Sequence, residues 1–218
     1  MINCVDSLLA RGKALVVTDL HGNLKDYNQY KDIWDSDDPD FHLVITGDFI
    51  HSMDKKDGSI EILHDIMWNS RFKDNFHVLL GNHEWTHIVD LDIYKNGVNQ
   101  KKDFEELIKE KYGYLQPLFL FLFLDFFKKL PLAVKTANGL FISHSGPAEG
   151  IKSIGDVENL LSSEDYTSTV VNQFLWSRYG DYSQYDIDLF LEAVDCKAMI
   201  VGHTVVDGVK VIGNQMIL

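Results

Sequence analysis

An α/β fold with a polar site along its strand ends is predicted by three observations. Apolar runs of strand length alternate three times with helix-period segments between residues 13 and 80. Each of those runs stops at a cluster containing Asp, Asn or His. The chain of 218 residues, 45% hydrophobic, can bury one sizeable core and is short for two. One domain over 1–218 is therefore expected.

The first run, 13–18, leads into Asp19-Leu20-His21-Gly22-Asn23. Leu24, Tyr27, Tyr30, Ile33 and Trp34 then recur at helical spacing. Asp35 to Asp40, with Pro39, reads as an acidic turn. A second strand, 41–46, ends at Gly47-Asp48, and 58–68 forms a second helix with Ile60, Leu63, Ile66 and Met67 on its apolar face. The third strand, 76–80, ends at Gly81-Asn82-His83-Glu84. Strand and helix in this order predict right-handed βαβ crossovers.

Further on, 101–113 reads as a helix. Leu115 to Leu130 reads as a very apolar, buried helix, with Pro117 near its start. Residues 131–135 and 140–143 form a hairpin around Asn138-Gly139, and the second strand runs into His144. Residues 153–175 are helix or loop, and Ile187 to Val194 is a short helix. A strand over 198–201 enters Gly202-His203-Thr204, and a last hairpin turns at Gly213-Asn214.

A net charge of −13 argues against general binding to nucleic acid or to an anionic membrane. The apolar stretch Leu118 to Leu124 is well short of the ~20 residues needed to span a bilayer. Ser7-Leu8-Leu9-Ala10 is too short for the apolar segment of a secretory signal. Cys4 and Cys196 are far apart and form no CxxC, as expected of ordinary reduced thiols. A cytoplasmic protein is expected.

Five strand ends thus carry Asp19 with His21, Asp48, Asn82 with His83, His144, and His203. Carboxylates, an amide and imidazoles suit two hard-to-borderline divalent ions, and the lack of cysteine disfavours a structural zinc site. Such a pair can share a carboxylate and a hydroxide and clamp an in-line phosphoryl displacement, while a nearby imidazole protonates the leaving group.

Asp-x-His-Gly, Gly-Asp, Gly-Asn-His-Glu, a later strand-borne His and Gly-His resemble the signature of calcineurin-like metallophosphoesterases, and most closely the phosphoprotein-phosphatase branch. Leu130-Pro131-Leu132-Ala133 with Gly139 to Gly146, and Phe174-Leu175-Trp176-Ser177-Arg178, are similar to further segments of that branch. The resemblance implies two mixed β-sheets packed face to face with helices outside, in four αββα layers. It implies that Asp19 and His21 bind a first metal ion, that Asp48 bridges, and that Asn82, His144 and His203 bind a second. Manganese is the expected metal, with iron or zinc as alternatives. A hydroxide between the two ions attacks phosphorus, His83 is the expected acid, and Glu84 supports the ligands from behind. The implied activity is phosphomonoester hydrolysis, with phosphoprotein or a small phosphoester as substrate.

The chain departs from the branch after Asp48. The usual Gly-Asp-x-Val-Asp-Arg-Gly is here Gly47-Asp48-Phe49-Ile50-His51-Ser52-Met53, so His51 replaces the carboxylate that orients the acid and Ser52 replaces a phosphate-gripping arginine. Arginine occurs only at Arg11, Arg71 and Arg178. Arg178 is the expected guanidinium fork for phosphate. His51 and Asn82 are the other expected substrate contacts. His51 has two alternative roles, a hydrogen bond to His83 and a neutral packed residue. Alternative readings are a dinucleoside polyphosphate hydrolase and a metal-binding interaction module with weakened catalysis.

Overall fold

The structure is a computed structural model that describes residues 4–52 and 56–218. Met53, the last residue of the departing motif, lies outside them. The chain opens with β1 (Val5–Leu8) and β2 (Lys13–Val17), followed by α1 (Leu24–Ile33), β3 (Phe41–Ile45), α2 (Ser59–Phe72) and β4 (Phe76–Val78). Then come α3 (Asn82–Ile88), a short hairpin of β5 (Tyr94–Lys95) and β6 (Val98–Asn99), α4 (Gln100–Tyr112) and α5 (Gln116–Phe127). The second half contains β7 (Ala133–Thr136), β8 (Leu140–Ser143), α6 (Ile154–Glu158), α7 (Thr169–Trp176) and α8 (Gln184–Ala193). It closes with β9 (Ala198–Val201), β10 (Lys210–Ile212) and β11 (Gln215–Ile217).

Two sheets carry the fold. β2, β3 and β4 form a parallel sheet in that order, and β1-β7-β8-β9-β11-β10 form a six-stranded mixed sheet. The expectation of two mixed sheets is therefore corrected for the smaller one. Its strands are joined by the helical crossovers α1 and α2, which return the chain to the same starting edge each time.

Alternation along the strands explains the layering. In β3, Phe41, Leu43 and Ile45 face the helices, in one cluster with Tyr27, Ile60, Leu63, Phe104 and Phe123. Val44 faces the other way and packs with Leu8, Leu79, Val134 and Ile142, a cluster drawn from both sheets. The outer face of the large sheet buries Phe141, Met199 and Val201 against Phe174, Ile187 and Phe190. Helix, sheet, sheet and helix are thus stacked in four layers.

Several elements differ from expectation. β1 pairs in parallel with β7 through Val5 to Leu8, a stretch too short and too mixed to announce a strand. Asn82 begins a helix directly after the strand end, a helix that the sequence does not announce, and Glu84 in its first turn accepts the Gly81 N–H at 3.2 Å. α5 is not buried. Phe123 and Phe127 are covered, whereas Phe121 is 64% exposed and Leu118 51%. Apolar on all sides, this helix is an outer layer and can hide one stripe only; Phe119 stacks on Tyr112 of α4 at 3.5 Å between ring centres. Among the described residues no helix is long and apolar enough to cross a membrane.

Candidate metal centre

The parallel strands β2, β3 and β4 point their carboxyl ends the same way, and so do β8 and β9. The two sets of strand ends meet. The loops after β2 and β3 are joined by His21 N–H to Asp48 O at 2.8 Å and Gly22 N–H to Phe49 O at 3.1 Å. The loops after β9 and β8 are joined by Gly202 N–H to His144 O at 3.0 Å. Across the sheets, the His203 N–H donates to Asp19 Oδ2 at 3.0 Å.

The backbone is bent sharply to aim these side chains. Asp19, His21, Asp48 and His203 have φ of +46°, +44°, +54° and +62°, a region that non-glycine residues visit at a cost and that concentrates at functional sites. Two glycines allow the loops to come this close. A Cβ on Gly47 would lie 2.4 Å from the Gly81 nitrogen, and one on Gly81 would lie 2.3 Å from the Asp48 nitrogen.

Asp19, Asp48, His144 and His203 each offer a ligand atom, all within 4.8 Å of one another; His21, Asp48 and His83 do the same. Asp48 belongs to both groups. His144 Nε2 lies 2.9 Å from Asn82 Oδ1, 3.3 Å from His203 Nδ1 and 3.6 Å from Asp48 Oδ2. The six residues expected as ligands are therefore brought together. His83, the expected acid, stands beside Asp48, with Nε2 3.9 Å from Oδ2. Glu84 lies behind, fully buried, and accepts the N–H groups of Asp48, Phe49 and Ile50 at 2.8, 2.9 and 3.2 Å.

The donor set fits a cation. His144 Nδ1 faces the Thr46 carbonyl at 3.0 Å, which can only accept, so Nδ1 carries the ring proton and Nε2 is a lone pair. That lone pair faces the acceptor oxygen of Asn82 and the Asp48 carboxylate. Acceptors converging without protons between them are the surroundings of a metal ion. His21 is arranged alike, with Nδ1 3.3 Å from the Ile50 carbonyl, which leaves Nε2 as the lone-pair nitrogen.

The electrostatics agree. Burial above all pushes His144 and His21 down, His203 to about 3 and His83 to about 2, so these rings are neutral near pH 7. Burial, then the charge of Asp19, raises Asp48 well above the usual carboxylate range. A buried carboxylate beside a half-buried one calls for positive charge between them.

The site floors a cavity of about 510 Å³ lined by Asp19, His21, Asp48, Asn82 and His83, with Lys95, Trp176 and Arg178 on its walls. Arg178 is exposed there, its backbone N–H held by Asp181 Oδ2 at 2.8 Å. His51 is corrected as a substrate contact. It is 2% exposed, lies off the cavity and stands behind His83, with the two Nδ1 atoms 2.8 Å apart. Lys95 and Trp176 were not foreseen as site residues. Lys95 sits on the β5–β6 hairpin, whose residues carry no apolar pattern. Its charge helps to lower His21 and His83.

The chain belongs to the calcineurin-like phosphoesterase family, whose profile it matches over residues 12–207. That family implies phosphoester hydrolysis and divalent metal ions. A serine/threonine-protein phosphatase of Caenorhabditis elegans is 26% identical over 176 residues, 76% of this chain and 34% of that protein. The chain thus spans about a third of that relative's length.

Among solved structures, a serine/threonine phosphatase from Saccharomyces cerevisiae superimposes with a TM-score of 0.74 at 21% identity, over 100% of this chain and 71% of that one. A cold-active protein-tyrosine phosphatase of a psychrophilic Shewanella gives 0.68 at 16% identity, over 97% and 72%. A candidate diadenosine tetraphosphatase gives 0.50 at 15% identity, over 100% and 87%. At these identities the likeness to solved structures is one of fold.

Proposed function

We propose that this chain is a phosphatase that hydrolyses phosphomonoesters, foremost phosphoprotein, with two divalent metal ions held by Asp19, His21, Asp48, Asn82, His144 and His203. The observation that carries this reading is Asp48, which lies with Asp19, His144 and His203 in one group of potential ligand atoms and with His21 in another, at the floor of the cavity. Bound there, the ions supply Lewis acidity toward the phosphoryl group and toward water. Manganese fits this oxygen and imidazole set; iron and zinc fit it as well.

The chain's own residues have distinct tasks. Arg178 and Lys95 bring fixed positive charge to the wall, where a phosphate dianion seats. Arg178 serves instead of the motif arginine that Ser52 replaces, its planar fork matching two phosphate oxygens. Asn82 reaches both the ligand cluster and the cavity, and His83 presents its Nε2 edge at the floor for the leaving oxygen. Glu84 fixes the loop that carries Asp48.

A second reading is favoured by one feature. Trp176 and Tyr94 give the wall two aromatic faces, on which a nucleobase of a dinucleoside polyphosphate stacks.

After chelation, manganese is expected to restore turnover of an aryl phosphate. Absence of turnover with manganese, iron and zinc overturns the proposal. Phosphoserine, phosphothreonine and phosphotyrosine peptides assayed beside diadenosine tetraphosphate decide the substrate class.

A further inference from the structure

His51 bridges two other imidazoles. Its Nδ1 lies 2.8 Å from Nδ1 of His83, and its Nε2 lies 2.8 Å from Nε2 of His87. A backbone φ of +67° turns its ring inward, away from the cavity. His83 and His87 are four residues apart on α3, so their rings rise from one helix face and His51 fits between them. All three rings are buried, and Phe104 closes the far side at 5.8 Å from His51 and 5.3 Å from His87 between ring centres.

Each nitrogen-to-nitrogen contact needs one N–H and one lone pair. Three neutral rings meet that need with two polarities. If His83 donates from Nδ1 to His51, and His51 donates from Nε2 to His87, then His87 must carry its proton on Nδ1. That atom is buried and has no hydrogen-bond partner among the described residues. As with the backbone, a buried N–H without an acceptor is rarer in folded proteins than an acceptor without a donor. If the chain runs the other way, His87 Nε2–H donates to His51 and His51 Nδ1–H donates to His83. His87 Nδ1 is then a bare lone pair, and His83 carries its proton on Nε2, toward the Asp48 carboxylate and the cavity. With Asp48 ionised, an N–H facing it is attracted and a lone pair there is repelled. Both comparisons choose the second polarity.

We propose that His87, acting through His51, is a positioning residue that locks His83 in its Nε2–H tautomer, so that a fixed N–H donor meets the leaving oxygen of the substrate. This rests on reading the cavity as a phosphoester site. It assigns a task to His87, and it replaces the carboxylate of the usual motif with a neutral chain. The assignment concerns which nitrogen of a neutral ring holds the proton, not whether the ring ionises.

The tautomer is read directly by nitrogen-15 NMR of the histidine-labelled, metal-free protein. His83 is expected to show a protonated Nε2 and a bare Nδ1; the opposite pattern overturns the proposal. In turnover of an aryl phosphate with manganese, His87→Ala is expected to lower kcat about 10- to 100-fold through a misplaced His83, with KM unchanged. His87→Gln, whose amide nitrogen can still donate to His51, restores most of kcat. An unchanged kcat in a folded His87→Ala protein, or failure of His87→Gln to rescue, overturns the proposal. If the wild-type protein shows the Nε2–H tautomer but no metal-dependent turnover, the lock stands and the phosphatase reading falls.

Discussion

Glu84 and Asp48 hold one another's loops. Glu84 Oε2 accepts the Asp48 N–H at 2.8 Å, and Asp48 Oδ1 accepts the N–H of His83, the residue before Glu84, at 2.9 Å. The turn after β3 and the first turn of α3 are thus locked by two reciprocal bonds. Glu84→Gln puts an amide NH₂ where a carboxylate oxygen met backbone N–H groups. The expected result is a loss of about 1–3 kcal/mol in urea denaturation. Calorimetry should also show weaker manganese binding; an unchanged affinity would separate Glu84 from the site.

Asp48→Asn tests the shared carboxylate. Its charge is costly in the metal-free fold, since burial and Asp19 both oppose it. The variant should therefore be as stable as the wild type or more so without metal, yet lose metal-dependent turnover. Thermal melting after chelation, set beside an aryl phosphate assay, reads both. Retained turnover would remove Asp48 from the metal site.

Arg178 and Lys95 are the cations on the wall that face the substrate in this reading. A charge-assisted hydrogen bond contributes about 1.5–3 kcal/mol, so Arg178→Ala and Lys95→Ala are each expected to raise KM roughly 10- to 100-fold with a smaller effect on kcat. Steady-state kinetics decides, and a residue whose loss leaves KM unchanged does not touch the phosphate.

Acid should destabilise the metal-free protein. Burial pushes His87 and His203 to about 3 and His83 to about 2, and carries His51 well below its ordinary range. Unfolded histidines bind a proton at about 6.5, so between that pH and about 3 the unfolded chain holds protons that the folded one refuses. Stability is then lost as pH falls. Glu84, raised by burial and Asp48 to about 8, acts in the opposite sense, as does Asp48: each contributes stability that is full below its unfolded value and is lost as pH rises to its raised one. These four histidines, with His21 and His144 lowered as well, outweigh the two carboxyls, at about 1.4 kcal/mol per pH unit for each net proton. The melting temperature should fall from pH 6.5 to 5, and His87→Gln should flatten the slope.

The strand ends were legible because each is announced by an apolar run that stops at Asp, Asn or His, so Asp19, His21, Asp48, Asn82, His144 and His203 stood out. The βαβ alternation was legible through its change of period. What failed depends on position in space. His87 looks like any residue of a short helix until the fold brings the ring of His51, from a different loop, against it. Lys95 is an ordinary surface lysine until the hairpin carries it to the cavity. α5 reads as buried because composition registers apolarity but not how many neighbours a helix has.

Asp19, His21, Asp48 and Asn82 extend from the parallel sheet, while His144 and His203 extend from the mixed one. Neither layer contains a complete set. A fragment ending near Pro131 would hold Asp19, His21, Asp48 and Asn82, and the remainder only His144 and His203. An ion bound by both would act as a rivet through the sandwich, opposing any slide of one layer over the other. Metal content would then report on the registration of the two sheets as directly as on chemistry.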